Sequence, residues 1–512
     1  MSTRGWFVAV LLAASAAIAV SLARVAADYI PTSDLAVAET DVRIAAQGRL
    51  LLGSYSRYGW HHPGPLASYV LLPAYLASGE RANGLAAGAL LVNLVALALL
   101  ARIGARRAPL LMSLAVMSLA VFVIRVPELL TSPWNPRLAV LPVAALFVAA
   151  AGVASGSAVC LPIAAALASF AAQAHVAFVP VSVVVGAVAA GAALWHVRRQ
   201  SPGRWVAAGV TALVVIGVAW APVLIEQIRT RPGGNLTQLW QYFSTSHPRP
   251  SVSRALAVWA DMLSGVLRPN LYLAQGWLVG ETLASWTLPV AVVQIAGLAV
   301  AIVRWRARPF ARALAAVLLL ASSVALWSTT RADRQIYDHV VFWIAALGAL
   351  NLAVLATVLL ELVPFRTPSG AERAATFSGA LLLAVSVVLG GWQLWRAIAW
   401  AADPPTQAKA AGAVAADLRS YLAASAARRP LIRFEQETWE MTAGVALGLH
   451  KAGVDVRVDN DWAVMFATPF HASGAEDVEI VVVGQAEHAR LVTQGSRAVS
   501  EHGVLFAHVK KP

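Results

Sequence analysis

"SYSRYGWHHPGPLASYVLLPAYLASG", residues 54–79, interrupts a chain built mostly of Ala, Val and Leu. Residues 54–70 bring together an Arg, three Tyr, a Trp, two adjacent His and two Pro. Residues 64–79 are apolar but short, and Pro65, Ser68, Tyr69, Pro73 and Tyr75 punctuate them. Whether they cross a membrane sets the orientation of everything that follows.

The chain reads as a membrane protein. Hydrophobic residues make up 59% of it, charged residues 13%, and the mean hydropathy is +0.67. A soluble domain is about one quarter charged. Eleven apolar runs stand out, at 5–27, 83–101, 109–125, 136–154, 157–172, 174–195, 205–225, 285–303, 313–328, 339–361 and 375–397. At 16–23 residues they suit a hydrocarbon core roughly 30 Å thick. Residues 1–30 have the charge, apolar run and small residues of a signal peptide. Their apolar run is long and further spans follow, so they read as an uncleaved first span. Cys160 is the one cysteine, which excludes an intrachain disulfide. The net charge of +13 comes from Arg clusters between apolar runs. That pattern is membrane topology and argues against nucleic-acid binding.

The positive-inside rule decides residues 64–79. If they do not span, the loops with Arg102/Arg106/Arg107, Arg198/Arg199/Arg204, Arg304/Arg306/Arg308/Arg312 and Arg366/Arg373 are all cytoplasmic. If they span, every cluster moves outside. The first arrangement predicts 64–79 as a helix in or dipping into the outer face. It makes 29–82 one external loop and puts the C-terminal segment outside as well.

Ionisable residues are scarce in the middles of the runs and collect at their outer ends: Asp34, Glu39, Asp41, Arg43, Arg57, His61, His62, Arg125, Glu128, His175, Glu226, Arg331, Asp333, Arg334 and Asp338. An ion-coupled transporter places such groups inside its bundle. Chemistry at the outer surface fits this distribution better. "PTSDLAVAETDVRIAAQG", 31–48, reads as a short helix from Asp34 to about Gln47, ended by Gly48. Glu39 and Arg43 are four apart and can pair on one face. Asp34 and Asp41 are seven apart and share another. Two readings stand side by side. Asp34 caps the helix and Glu39–Arg43 is a surface pair, or the carboxylates bind a metal or deprotonate a hydroxyl.

An acidic residue just after the first span, an Ala-rich helix, Gly48 and an aromatic stretch ending in "HPGPL" together resemble the first external loop of the GT-C membrane glycosyltransferases. The similarity is to the branch with the lipid A aminoarabinose transferase and the protein mannosyltransferases. Asp34, Gly48 and Pro63-Gly64-Pro65-Leu66 occupy that family's acidic, glycine and helix-start positions. The resemblance implies that 54–63 walls an external cavity and that 64–79 is a second juxtamembrane helix. In "VPELLTSPWNP", Glu128 matches the family's second acidic residue. In "QAHVAFVP", His175 stands where many relatives carry a Lys-Gly pair that meets the donor phosphate, a departure from the pattern. "APVLIEQIRTRPGGNLTQLWQYF" and "RADRQIYDHVVFW" resemble later external segments, with Arg331 and Arg334 as basic candidates.

The fold implied is mainly α: a polytopic bundle of about eleven spans of GT-C type over 1–400, with external juxtamembrane helices. A small α/β extracytoplasmic domain over 401–512 completes it. In that tail "TQAKAAGAVAADLRSYLAASAA" and "ETWEMTAGVALGLHKAG" read as helices. "PLIRF", "VDVRV", "VEIVVVG" and "GVLFAHV" read as strands. It has no Gly-rich phosphate loop.

The activity implied is transfer of a sugar from a polyprenyl phosphate to a cell-envelope glycan, glycolipid or protein on the outer face of the cytoplasmic membrane. Asp34 is the expected general base, with Glu128 as the second catalytic carboxylate. Arg57, His61, His62, His175, Arg331 and Arg334 are candidates for the phosphate leaving group, with Glu39 and Arg43 beside them. Tyr55, Tyr58 and Trp60 offer faces for sugar rings. Asp34, Glu128 and a His could hold a divalent metal. A flippase for lipid-linked sugars and a non-catalytic scaffold are the alternative classes.

Overall fold

The computed structural model describes residues 3–199, 202–230, 232–269, 271, 278–280, 283–362, 371–425 and 427–510, with backbone alone for 3–11 and 371–376. Arg366 and the side chain of Arg373 lie outside the described residues.

Each of the eleven apolar runs forms a helix, from Thr3–Val25 to Ala371–Ala402. Among the described residues, eight helices are long and apolar enough to cross a bilayer, and Leu12–Val25, Pro109–Arg125 and Cys160–Ala174 are shorter apolar segments. The chain is a multi-pass membrane protein. The disputed stretch forms a helix of 12 residues, Leu66–Ala77, with Pro73 inside it. At 1.5 Å per residue it is about 18 Å long, well short of a membrane core.

The chain divides into two compact units. The first comprises Met1–Ala16, Ala89–Ile225 and Trp240–Gln393. Its helices differ in how much surface they expose. In Asn135–Ala154 89% of the apolar window is buried, and in Pro202–Arg229 22%. The former is a central helix surrounded by protein. The latter presents Leu213, Val214 and Val218 outward, as a lipid-facing helix does. Buried polar side chains in this unit satisfy backbone groups where helices break. Asn93 Nδ2 donates to the carbonyls of Leu129 and Leu130 at 3.1 Å each. Arg125 donates to the carbonyls of Gly265, Val266, Arg268 and Pro269, pinning the chain after helix Val252–Leu263. In an apolar setting each such group would cost several kcal/mol unpaired, about 2–7 by transfer.

The second unit comprises Ala17–Gly88, Glu226–Leu239 and Leu394–Pro512. Its sheet runs, edge to edge, Arg457–Val458 (β2), Pro430–Arg433 (β1), Val478–Val483 (β3), Leu505–Lys510 (β5) and Ala498–His502 (β4). Strand β1 (Pro430–Arg433) is parallel to β2 (Arg457–Val458) and β3 (Val478–Val483). Strand β5 (Leu505–Lys510) is antiparallel to β3 and to β4 (Ala498–His502). The four expected strands are all present. Strand β4 and helix Gln485–Thr493 escaped the sequence reading, because "AVSEH" has little apolar content and the helix buries no residue.

Helices Thr406–Ser425 and Trp439–Lys451 cover the sheet. Leu418, Val445, Ile432, Phe466, Ile480 and Leu505 form a core with Ala36, Val37, Ile44 and Ala45 of the first-loop helix, Ser33–Ala46. The first loop and the C-terminal sheet are thus one hydrophobic body. The fit is close at Gly444, and Gly448 is in ordinary contact with Ile30. A Cβ at Gly444 would lie 2.7 Å from the Pro31 carbonyl, and one at Gly448 3.7 Å from the Ile30 side chain.

Candidate functional site

In the second unit, Ser33–Ala46 begins with Thr32 as N-cap and ends with Gly48 at φ +66°. The expected boundaries hold, with Thr32 rather than Asp34 as the cap. Ser33 takes φ +58°, an uncommon left-handed conformation for a residue with a side chain. Asp34 follows in the first turn. Its Oδ1 accepts the Tyr55 hydroxyl at 2.5 Å. Burial and the Asp34 charge both raise the Tyr55 pKa, so Tyr55 stays a phenol and a donor.

The aromatic stretch is a hairpin. Ser56 N–H donates to Trp60 O, Gly59 N–H to Ser56 O and His62 N–H to Ser54 O. Gly59 sits at φ +84° in the turn. Gly53 must be glycine, since a Cβ there would run into the carbonyls of His62 and Gly64. Tyr58 and Arg57 are exposed at the tip. Trp60 stacks on Tyr58 at 6.2 Å and meets His62 edge-on at 5.6 Å.

His61 and His62 are both buried, 8% and 6% exposed. His61 Nδ1 lies 2.9 Å from Gly53 O and donates to it. Burial pushes the His61 pKa down to about 4, so the ring is neutral at pH 7. It supplies a donor there, without a charge. Asn235 accepts from His61 N–H at 2.8 Å and returns Nδ2–H to His61 O at 3.0 Å. Glu226 accepts Asn235 N–H. The short segment 226–239 thereby fixes the hairpin's far strand.

Glu39 and Arg43 meet through a third residue. Tyr75 donates to Glu39 Oε1 at 2.9 Å, and Arg43 Nη1 donates to Tyr75 Oη at 3.3 Å. Arg43 pairs with Glu80 at 2.5 Å and Lys451 with Glu39 at 2.9 Å. Glu39 is fully buried. Burial raises its pKa, against the pull of Lys451. Asp41 is 5% exposed, and among the described residues its carboxyl has no hydrogen-bond partner. Burial drives its pKa well above the usual carboxylate range, so its protonated form is favoured.

In the first unit, His175 closes helix Cys160–Ala174. Its Nδ1 accepts Ala177 N–H at 3.2 Å, which leaves the proton on Nε2. Asn135 Nδ2 holds the Ala174 carbonyl beside it at 2.7 Å. His339 meets His175 edge-on at 5.7 Å, with Trp134 5.4 Å from His339. Asp338 Oδ1 lies 3.8 Å from His339 Nδ1. Glu128 is exposed on a short 3-10 turn, Pro127–Leu130. Arg331 sits over the Trp327 ring at 5.5 Å, and Arg334 is 76% exposed.

The structure therefore groups Asp34, Glu39, Arg43, Arg57, Tyr58, Trp60, His61 and His62 in one unit. Glu128, His175, Arg331 and Arg334 belong to the other. Tyr75, Lys451, Asn235 and His339 escaped the sequence reading. Only His339, in "IYDHVVFW", carried a visible signal, a polar pair at the mouth of an apolar run. Among the described residues no group of three or more His, Cys, Asp or Glu is arranged to hold a metal.

No protein-family model matches the sequence, and no curated protein matches it significantly. Solved structures do match. ArnT from Cupriavidus metallidurans in the apo state is similar over 99% of this chain and 98% of its own, with TM-score 0.55 and 13% identity. ArnT from the same organism bound to undecaprenyl phosphate gives TM-score 0.53 and 14% identity over the same shares. The chain shares its fold with these ArnT structures.

Proposed function

We propose that the protein is a membrane glycosyltransferase. It moves a sugar from a polyprenyl-phosphate carrier to a cell-envelope acceptor at the outer face of the cytoplasmic membrane. The observation that carries this reading is the likeness in fold, along nearly the whole chain, to an ArnT bound to undecaprenyl phosphate. The Arg clusters between spans support the orientation.

In this reading Asp34 takes the acceptor's proton as its oxygen attacks the sugar's anomeric carbon, and the carrier phosphate leaves. The hydrogen bond from Tyr55 supports the role by fixing one carboxylate oxygen. The other oxygen remains for the acceptor. Arg57, exposed at the hairpin tip of the same unit, is a donor for the departing phosphate, where a charge-assisted bond contributes about 1.5–3 kcal/mol. The sheet domain, 401–512, lies outside the membrane and braces the first loop.

The test is transfer by the purified full-length protein from a panel of polyprenyl-phosphate sugars to envelope extracts. A carrier-dependent product, absent with Asp34→Asn, supports the reading. Carrier-linked sugar moved across vesicles without any transfer would replace it with the flippase reading.

A further inference from the structure

The second unit contains a cavity of about 400 Å³ at the C-terminal end of the first-loop helix, where the chain passes helix Trp439–Lys451 and strand β2. Arg43, Arg49, Lys451 and Arg457 line it, with His450 and one carboxylate, Asp455. Arg43 follows Asp34 by nine residues, about 13 Å along the helix, so this is a different place from the proposed base.

Basic side chains in a last helical turn are often explained by the helix dipole. That accounts for Arg43, His450 and Lys451. It does not account for Arg49 and Arg457, which lie outside both helices. Asp455 is already engaged by Arg429 and Arg457, each at 2.9 Å. Arg49 has no carboxylate partner among the described residues; it touches only Gln47. The nitrogens Arg43 Nε, His450 Nε2 and Arg457 Nε are buried and lack any hydrogen-bond partner among the described residues. Buried polar nitrogens are normally paired. Arg43, Lys451 and Arg457 have Glu80, Glu39 and Asp455, but three unpaired nitrogens on residues lining one cavity, beside Arg49 with no carboxylate of its own, leave an acceptor missing.

We propose that this cavity binds a compact oxyanion, a phosphate or carboxylate group. Arg49 is the accessible ligand, and Arg43, His450 and Arg457 form the inner wall. The proposal does not depend on the transferase reading. The positive field there is already felt by His450, whose pKa falls to about 4 through burial and the Arg43 charge.

The test is binding of inorganic phosphate and of glucuronate to the full-length protein in detergent, at ionic strength fixed with chloride, read as a saturable thermal shift and, for phosphate, 31P line broadening. We expect saturation by at least one probe. Arg49→Gln should weaken it about tenfold or more, the scale of one charge-assisted hydrogen bond. Arg49→Lys should recover part of the loss. Arg433→Gln, whose side chain pairs with Glu479 elsewhere on the sheet, should change nothing. Arg49 is exposed, so its removal leaves folding intact. Repeating the titration in phosphatidylcholine and phosphatidylglycerol nanodiscs separates the sources. Phosphate binding suppressed only by the anionic lipid identifies a headgroup, and unchanged binding a soluble anion. Absence of saturation with both probes, or equal binding by Arg49→Gln, overturns the proposal.

Discussion

Tyr55 donates its hydroxyl to Asp34 Oδ1 at 2.5 Å, across 21 residues of sequence. The bond ties the hairpin to the first turn of the loop helix. Asp34→Asn should cost about 10²–10⁴-fold in transfer rate, the usual scale for loss of a general base. Thr32, the N-cap, is untouched, so the melting temperature should hardly move. Tyr55→Phe should cost about tenfold, because the base loses its orientation but not its chemistry. Full turnover with Asn at 34 would remove Asp34 from the reaction.

Asp41 makes the opposite prediction. Its buried carboxyl binds a proton more tightly in the folded chain than in the unfolded one. Stability from this group is therefore complete below the unfolded value, about 3.9, and declines as pH rises towards the raised native one. Asp41→Asn should flatten that decline and raise the melting temperature at pH 7 to 8 in detergent, while transfer falls less than tenfold. If Asn at 41 abolishes transfer and Asn at 34 does not, the carboxylate assignment is reversed.

His61 gives a slope of the other sign. Its native pKa of about 4 lies below the unfolded 6.5. The unfolded chain takes up the proton first, so stability is present above pH 6.5 and is lost as pH falls towards 4. The full loss is roughly 3 kcal/mol. His61→Asn keeps a donor near Gly53 O and does not titrate. A melting series from pH 7.5 to 4.5 should show a shallower acid loss in the variant.

Lys451 faces a fully buried carboxylate, Glu39, at 2.9 Å. Lys451→Met leaves that charge uncompensated and should destabilise the second unit by about 3 kcal/mol. Adding Glu39→Gln should return most of the loss, because the amide still accepts from Tyr75. Chemical denaturation of the three proteins measures the coupling. Simple addition of the two single effects would mean that the pair is not energetically linked.

Orientation is checked by labelling in a Cys160→Ala background. Cysteine at Tyr58 or at Glu440, both exposed, should react with an impermeant maleimide in intact spheroplasts. Cysteine at Arg198 should react only after permeabilisation. Labelling of position 440 only after permeabilisation would contradict the proposed topology.

The fold was legible where hydrophobic length carries the information. Eleven apolar runs became helices, and residues 66–77 stayed short because Pro73 and two tyrosines break their apolar character. Gly48 announced the end of the loop helix through its need for positive φ. The candidate site was legible only within one loop. Lys451 meets Glu39 across 412 residues, and Asn235 meets His61 across 174. No periodicity encodes such pairings. The polar candidates also looked alike on paper, and burial separated them. It holds His61 neutral and favours a proton on Asp41, while Arg334 lies in solvent.

Ile30 and Pro31 rest against Gly448 and Gly444, and Lys451 reaches Asp28 from 423 residues away. The ribosome makes these partners in the wrong order. The first loop emerges well before the surface that shapes it, with Lys451 following Asp28 by 423 residues. Until then the loop helix has nowhere to place Ala36, Val37 and Ile44. A chain arrested after helix Ala371–Ala402 would carry its membrane helices and still lack a formed first loop. Synthesis of the sheet domain therefore acts as a timer for the shape of the first loop.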